Sequence, residues 1–127
     1  MTSIDRPRAH RVLVVEDEAL VRMLVVQTLE EAGFAVREAA EAQGALDVLH
    51  SDHAIRLMVT DVGLPGLNGR LLADAVRKER PDMRVLFMTG YADSALFEDA
   101  LPDGFGLITK PFDLDDLAAR AQALIAV

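Results

Sequence analysis

The 127-residue chain has no cysteine. Without a thiol there is no disulfide framework, no thiolate zinc site and no cysteine nucleophile, and the absence fits a reducing compartment. Long apolar runs are also missing: 51% of residues are apolar, yet no stretch approaches the ~20 needed to cross a bilayer. The N-terminus lacks the apolar segment of a signal peptide, so a soluble cytoplasmic protein, with no membrane contact, is expected. Basic residues are few, 13 against 21 acidic ones, for a net charge of −8, which argues against a nucleic-acid groove. The one basic cluster, Arg6, Arg8, His10 and Arg11, reads as solvated, with residues 1–10 a flexible leader to a single domain over 11–127. There is no phosphate-loop glycine pattern, repeat or low-complexity segment.

What is present is a set of apolar runs that each stop on a polar group. Leu57 to Asp61 predicts a buried strand ending on a carboxylate, where Gly63, Pro65 and Gly66 turn the chain. Val12 to Val15 predicts a first strand that halts at Glu16-Asp17-Glu18, and Phe34 to Glu38 a second. Val85 to Met88 runs into Thr89, and Leu107 to Thr109 into Lys110-Pro111.

Helical spacing fills the intervals. Residues Glu18 to Ala32 predict a helix with Leu20, Val21, Leu24, Val25 and Thr28 on its apolar face and Gly33 at C′. Ala42 to His50 predicts a second, with Ala45, Leu46 and Leu49 inward, before a turn at Ser51-Asp52-His53. Asn68 is a good N-cap for a third helix, lined by Leu71, Leu72, Ala75 and Val76 and closed by Pro81. A short fourth runs from Asp93 or Ser94 to Ala100. The last starts at Asp113, with an Asp113–Asp116 capping box and Leu114, Leu117, Ala118, Ala121, Leu124 and Ile125 repeating inward. Asp47 and Asp52 read as solvated, and His50 with His53 lacks a third ligand for a metal. Strands alternating with helices imply an α/β fold, a parallel sheet covered on both faces.

In such a sheet Glu16-Asp17, Asp61, Thr89 and Lys110 all fall at the carboxyl rim, where ligands bind. Three converging carboxylates would repel one another and call for a hard cation, best Mg²⁺, which attracts phosphoryl oxygens. A lysine and a hydroxyl opposite could neutralise and hydrogen-bond those oxygens, and an aspartate is an accepted phosphoryl acceptor.

The pieces Val14-Val15-Glu16-Asp17-Glu18, Asp61 to Gly69, Thr89-Gly90 and Lys110-Pro111-Phe112 resemble, in order and separation, the receiver domains of two-component response regulators. The resemblance implies a flavodoxin-like (βα)5 three-layer sandwich with strand order 2-1-3-4-5. It implies Asp61 as phosphoacceptor, charged by a histidine kinase or histidine phosphotransfer protein. It implies Mg²⁺ held by Asp17 and Asp61 directly, by Glu16 through water, and by the Gly63 carbonyl. Thr89 resembles the switch hydroxyl and Lys110 its cationic partner, with a cis Lys110–Pro111 bond. Phosphorylation would shift a population toward a conformer whose fourth helix, fifth strand and fifth helix present a changed surface to a downstream protein. The resemblance departs at Leu107, where many receivers carry an aromatic switch residue, with Phe105 two residues earlier. Phe87-Met88-Thr89-Gly90-Tyr91 resembles a subgroup with an aromatic past the threonine, which makes Tyr91 a switch candidate beside Thr89 and Leu107. Because the chain ends at Val127, a single-domain regulator, monomeric or weakly dimeric, is expected. The alternatives are a pseudo-receiver that binds its partner without phosphorylation and an aspartate-nucleophile phosphatase. The latter requires an acid/base carboxylate where this chain has Gly63, so the expectation is a non-enzyme that does no more than phosphorylate and dephosphorylate itself.

Overall fold

The computed structural model describes residues 10–90 and 101–126. The strands β1 (Arg11–Val15), β2 (Ala35–Ala39), β3 (Ile55–Asp61), β4 (Arg84–Thr89) and β5 (Phe105–Thr109) form one parallel sheet in the order β2-β1-β3-β4-β5. The helices among the described residues are α1 (Ala19–Glu31), α2 (Ala42–Ser51), α3 (Gly69–Glu79) and α4 (Leu114–Ala126), the last corresponding to the fifth helix of the sequence pattern. This is the expected flavodoxin-like sandwich. The short helix expected over 93–100, the switch candidate Tyr91 and the leader as far as residue 9 lie outside the described residues.

The strands read as unbroken apolar runs because helices cover both faces of the sheet. Side chains alternate across it, so Leu13, Val15, Met58, Val85 and Phe87 pack with α2 and α3, whereas Val12, Val14, Val59, Leu86 and Met88 pack with α1 and α4. An irregularity in the β1–β3 ladder sets Arg11 opposite Ile55 and Val12 opposite Leu57. The extra residue, Arg56, is exposed, and Ile55 and Leu57 consequently fall in opposite cores.

Two of the expected caps form and one does not. Gly33, at φ 100°, ends α1 with Gly33 N–H donating to the Glu30 carbonyl and Phe34 N–H to Leu29, while Phe34 and Leu29 share a core. Asn68 caps α3 as expected, its side chain accepting from Leu71 N–H at 2.9 Å. The Asp113–Asp116 capping box does not form: Asp113 accepts from Asp115 N–H at 2.9 Å, and Asp116 pairs with Arg120 at 3.0 Å.

The inward faces also differ from expectation. In α1 the inward line is half-buried Val21 with buried Val25 and Leu29, while Leu20 is 65% exposed and Leu24 and Met23 are also outward. Most residues from Ala19 to Val26 are apolar, so three- and four-residue spacing fits more than one face, and docking on the sheet selects among them. In α3 the buried residues are Gly69, Leu72, Ala73 and Val76, while Leu71 is 51% exposed. In α4, Leu117 and Ala121 are buried and Leu114 faces out.

Asp52, expected to be solvated, is buried at the end of the sheet opposite the carboxyl rim. Its carboxylate lies 2.9 Å from Arg11 and 3.3 Å from Arg37 and accepts from Ala54 N–H at 3.1 Å. Arg11 is therefore the first residue of β1 and a working ion-pair partner. Burial alone would raise the Asp52 pKa, but the Ala54 N–H and the two guanidinium groups outweigh it and hold the carboxyl below its ordinary value. No helix among the described residues is long and apolar enough to cross a membrane.

Candidate functional site

Glu16 continues β1 by one rung, its N–H donating to the Ala39 carbonyl of β2 at 3.1 Å. That extension carries its side chain into the interior, where it is 0% exposed. Oε2 accepts from Glu18 N–H at 3.1 Å, and Oε1 lies 3.3 Å from Lys110 Nζ. Asp61, the last residue of β3, presents Oδ1 to the same ammonium at 3.3 Å and to Gly63 N–H at 3.3 Å. Its Oδ2 lies 4.0 Å from where a side chain on Gly63 would begin, so the glycine leaves that side of the carboxylate open. Asp17 is exposed at the mouth and completes a group in which one oxygen each from Glu16, Asp17 and Asp61 fall within 4.8 Å of one another.

Lys110 reaches this group from the far side of the sheet. Its N–H donates to the Thr89 carbonyl at 2.6 Å, which fastens the end of β5 to the end of β4, and the Lys110–Pro111 bond is cis as expected. Thr89 is buried one position beyond Met88, the residue that pairs with Asp61 in the β3–β4 ladder. The strand order thus brings Glu16, Asp17, Asp61 and Lys110 into contact range and sets Thr89 on the adjoining strand end.

Leu107 lies opposite Phe87 in the β4–β5 ladder and packs half-buried against the core on the α2 and α3 face. The aromatic of β5 is Phe105, whose ring meets Phe87 edge-on at 5.4 Å and carries the Arg77 guanidinium 4.6 Å above it. That ring is held between a core side chain and a cation, on the same face of β5 as Leu107.

Electrostatics follow from burial and crowding. Burial pushes the Glu16 carboxyl up to about 7, the Glu18 N–H opposes the rise, and the neighbouring Asp61 charge adds to it. For Lys110, burial acts to lower the pKa, but the Asp61 and Glu16 carboxylates outweigh it and hold the ammonium above its ordinary value. Two carboxylates crowded against one ammonium, with a third at the mouth, are an all-oxygen donor set deficient in positive charge. Such a set fits a hard divalent cation of the Mg²⁺ class.

One neighbour had no recognisable signal beyond being an arginine one helical turn past the acids. Arg22 of α1 donates Nη1 to the Glu16 carbonyl at 2.8 Å and Nε to Glu38 of β2 at 2.9 Å.

Comparison with known proteins shows the family. Residues 12–122 match the response regulator receiver domain family. The chain is 36% identical over 116 residues to the sensor kinase CckA of Brucella abortus, covering 90% of this chain but only 12% of that protein. It is 31% identical over 116 residues to the response regulator receiver protein CpdR of the same organism, covering 91% of this chain and 96% of CpdR. The crystal structure of a response regulator receiver domain protein from Clostridium thermocellum superposes with a TM-score of 0.85 at 25% identity, covering 91% of this chain and 94% of that one.

Proposed function

The chain belongs to the response regulator receiver family, the phosphoacceptor modules of two-component signalling, and from that membership we propose that Asp61 is the residue phosphorylated. Glu16, Asp17, Asp61 and the Gly63 carbonyl are the groups that would hold the accompanying Mg²⁺. The observation that carries this reading is the Lys110 ammonium, 3.3 Å from both Glu16 and Asp61, a partly buried cation held where a transferred phosphoryl group would need one.

The proposed donor is a phosphohistidine of a histidine kinase or histidine phosphotransfer protein. Asp61 Oδ2, on the side left open by Gly63, forms the new O–P bond as the donor P–N bond breaks, and the departing imidazole nitrogen keeps the electron pair and takes a proton from water. Bound Mg²⁺ would supply charge neutralisation for the phosphoryl oxygens. Lys110 then exchanges carboxylate for phosphoryl oxygen, and the Thr89 hydroxyl hydrogen-bonds to the same group. Both residues belong to the β4 and β5 ends, so their closing alters the surface that β5 and α4 offer a downstream partner. Exposed Leu24 and Leu114 line a groove that includes Lys110 and Phe112 and give the donor protein an apolar seat beside the acceptor. Gly63 supplies no acid/base carboxylate, which supports a phosphoacceptor over a phosphatase that turns over external substrates.

The test is intact-mass analysis after incubation with a small phosphodonor such as acetyl phosphate and Mg²⁺. One base-labile phosphoryl adduct is expected, absent in Asp61→Asn and absent when Mg²⁺ is chelated. An adduct that survives in Asp61→Asn, or none in the wild type, would overturn the assignment.

A further inference from the structure

The backbone of the acidic loop from Glu16 to Glu18 is held from α1 by the side chain of Arg22. Glu16 N–H makes the last rung to β2, and the carbonyl of the same residue accepts from Arg22 Nη1 at 2.8 Å. The guanidinium is anchored in turn by Glu38 of β2 at 2.9 Å, and the Arg22 N–H closes the first turn of α1 on the Glu18 carbonyl at 2.9 Å. Arg22 is 21% exposed, so these bonds are partly shielded from water. The Glu16 carbonyl belongs to the planar peptide that leads into Asp17, so fixing its direction fixes the plane from which the Asp17 side chain departs.

We infer that Arg22 is a positioning residue of the acidic site. By clamping the Glu16–Asp17 peptide against β2 it aims the Asp17 carboxylate and thereby sets the affinity for the divalent cation. The inference rests on the reading of Glu16, Asp17 and Asp61 as the cation site. Its sign separates it from plain electrostatics: a guanidinium next to a cation site repels the incoming ion, so charge alone predicts tighter binding when Arg22 is removed. Positioning predicts weaker binding. Lysine keeps the charge but lacks the fork that reaches Glu16 and Glu38 together, so it should restore little.

The experiment is a titration with Mg²⁺ alone, followed by amide NMR of Asp17 and Gly63, on the wild type, Arg22→Ala, Arg22→Lys and Glu38→Gln, with thermal melts recorded in chelator. Partners that orient metal ligands are typically worth 10–100-fold in affinity, so Arg22→Ala should raise the Mg²⁺ dissociation constant about tenfold and Arg22→Lys nearly as much. Glu38→Gln, which loosens the anchor but leaves the Glu16 contact, should raise it about threefold. A dissociation constant for Arg22→Ala equal to or below that of the wild type overturns the inference, whatever the melting temperature does. If Arg22→Ala does not fold, Glu38→Gln decides in the same way, an unchanged constant overturning it. A wild-type chain with no saturable Mg²⁺ response overturns the functional reading together with this inference, whereas a normal wild-type response with unaltered variants overturns this inference alone.

Discussion

Replacing Gly69 with alanine puts a methyl group at the first residue of α3, a change that ordinarily stabilises a helix by ~0.5–1 kcal/mol. Here the opposite is expected. Gly69 N–H donates to the Val62 carbonyl at 2.9 Å, which draws the helix start against the chain leaving β3. A Cβ at Gly69 would overlap the Asp61 carbonyl oxygen and come within 3.0 Å of Val62 Cα and 3.1 Å of the Asp61 carbonyl carbon. Carbon atoms in contact sit ~3.5–4.0 Å apart, and none of these partners is a flexible side-chain tip, so backbone must move by roughly half an ångström or more. Overpacking against backbone at so short a distance belongs at the upper end of the usual cost, ~3 kcal/mol, which exceeds the propensity gain and leaves a net loss of about 2 kcal/mol. For a chain of this size the melting temperature should fall by roughly 6–10 °C. The control is Gly44→Ala in α2, where the nearest atom to an added Cβ is Ala39 Cβ at 3.6 Å, an ordinary contact, and a gain of ~0.5–1 kcal/mol is expected. Thermal and urea denaturation of the two variants side by side measure the difference, and the amides of Asp61 and Gly63 should shift only in Gly69→Ala. A Gly69→Ala protein as stable as the wild type would refute the reasoning.

Three further outcomes follow from burial and charge. The folded pKa of Glu16, about 7, lies above its ordinary 4.5, so the folded state holds the proton more tightly; without divalent cation, stability should fall by up to ~3 kcal/mol as pH rises from 4.5 to 7. Glu16→Gln should abolish that slope and be the more stable protein at pH 8 in chelator, as read by urea titration across pH. For Asp52 the folded pKa lies below the unfolded value, so its contribution is complete above about pH 4 and is lost as pH falls through the folded value. Its arginine partners are half exposed, so Asp52→Asn should cost only ~1–2 kcal/mol at pH 7, shrinking as pH falls through the folded value by the same measurement. Leu72→Ala should lose ~2–5 kcal/mol and Leu71→Ala less than ~0.5 in denaturant melts, because the first is fully buried and the second faces water.

Strands and site residues were legible because both depend on local order. A run such as Val12 to Val15 can only be covered on two sides, and the residue that ends it goes to the rim, whatever the rest of the chain does. Helix faces were less legible where apolar residues surround the axis, as in α1, because the choice between Leu24 and Val25 belongs to the docking angle on the sheet. Asp52 and Arg22 were illegible for another reason. Their partners, Arg11 and Arg37 for one and the Glu16 carbonyl and Glu38 for the other, are remote in sequence or are backbone atoms. Charges of this kind look like solvated surface until the sheet order is known. The partners of Phe105 were illegible in the same way: the aromatic of β5 packs with Phe87 and Arg77, both remote in sequence.

Lys110 leaves the border strand of the sheet, passes over the end of β4 and grips carboxylates from the two strands beyond it. A change of charge in the middle of the sheet therefore alters the load on its margin directly, with no need for the intervening strands to shift. Margins, with a neighbour on one side only, are the parts of a fold that yield at least cost. A change of charge at the buried centre of the sheet would thus be felt at its edge.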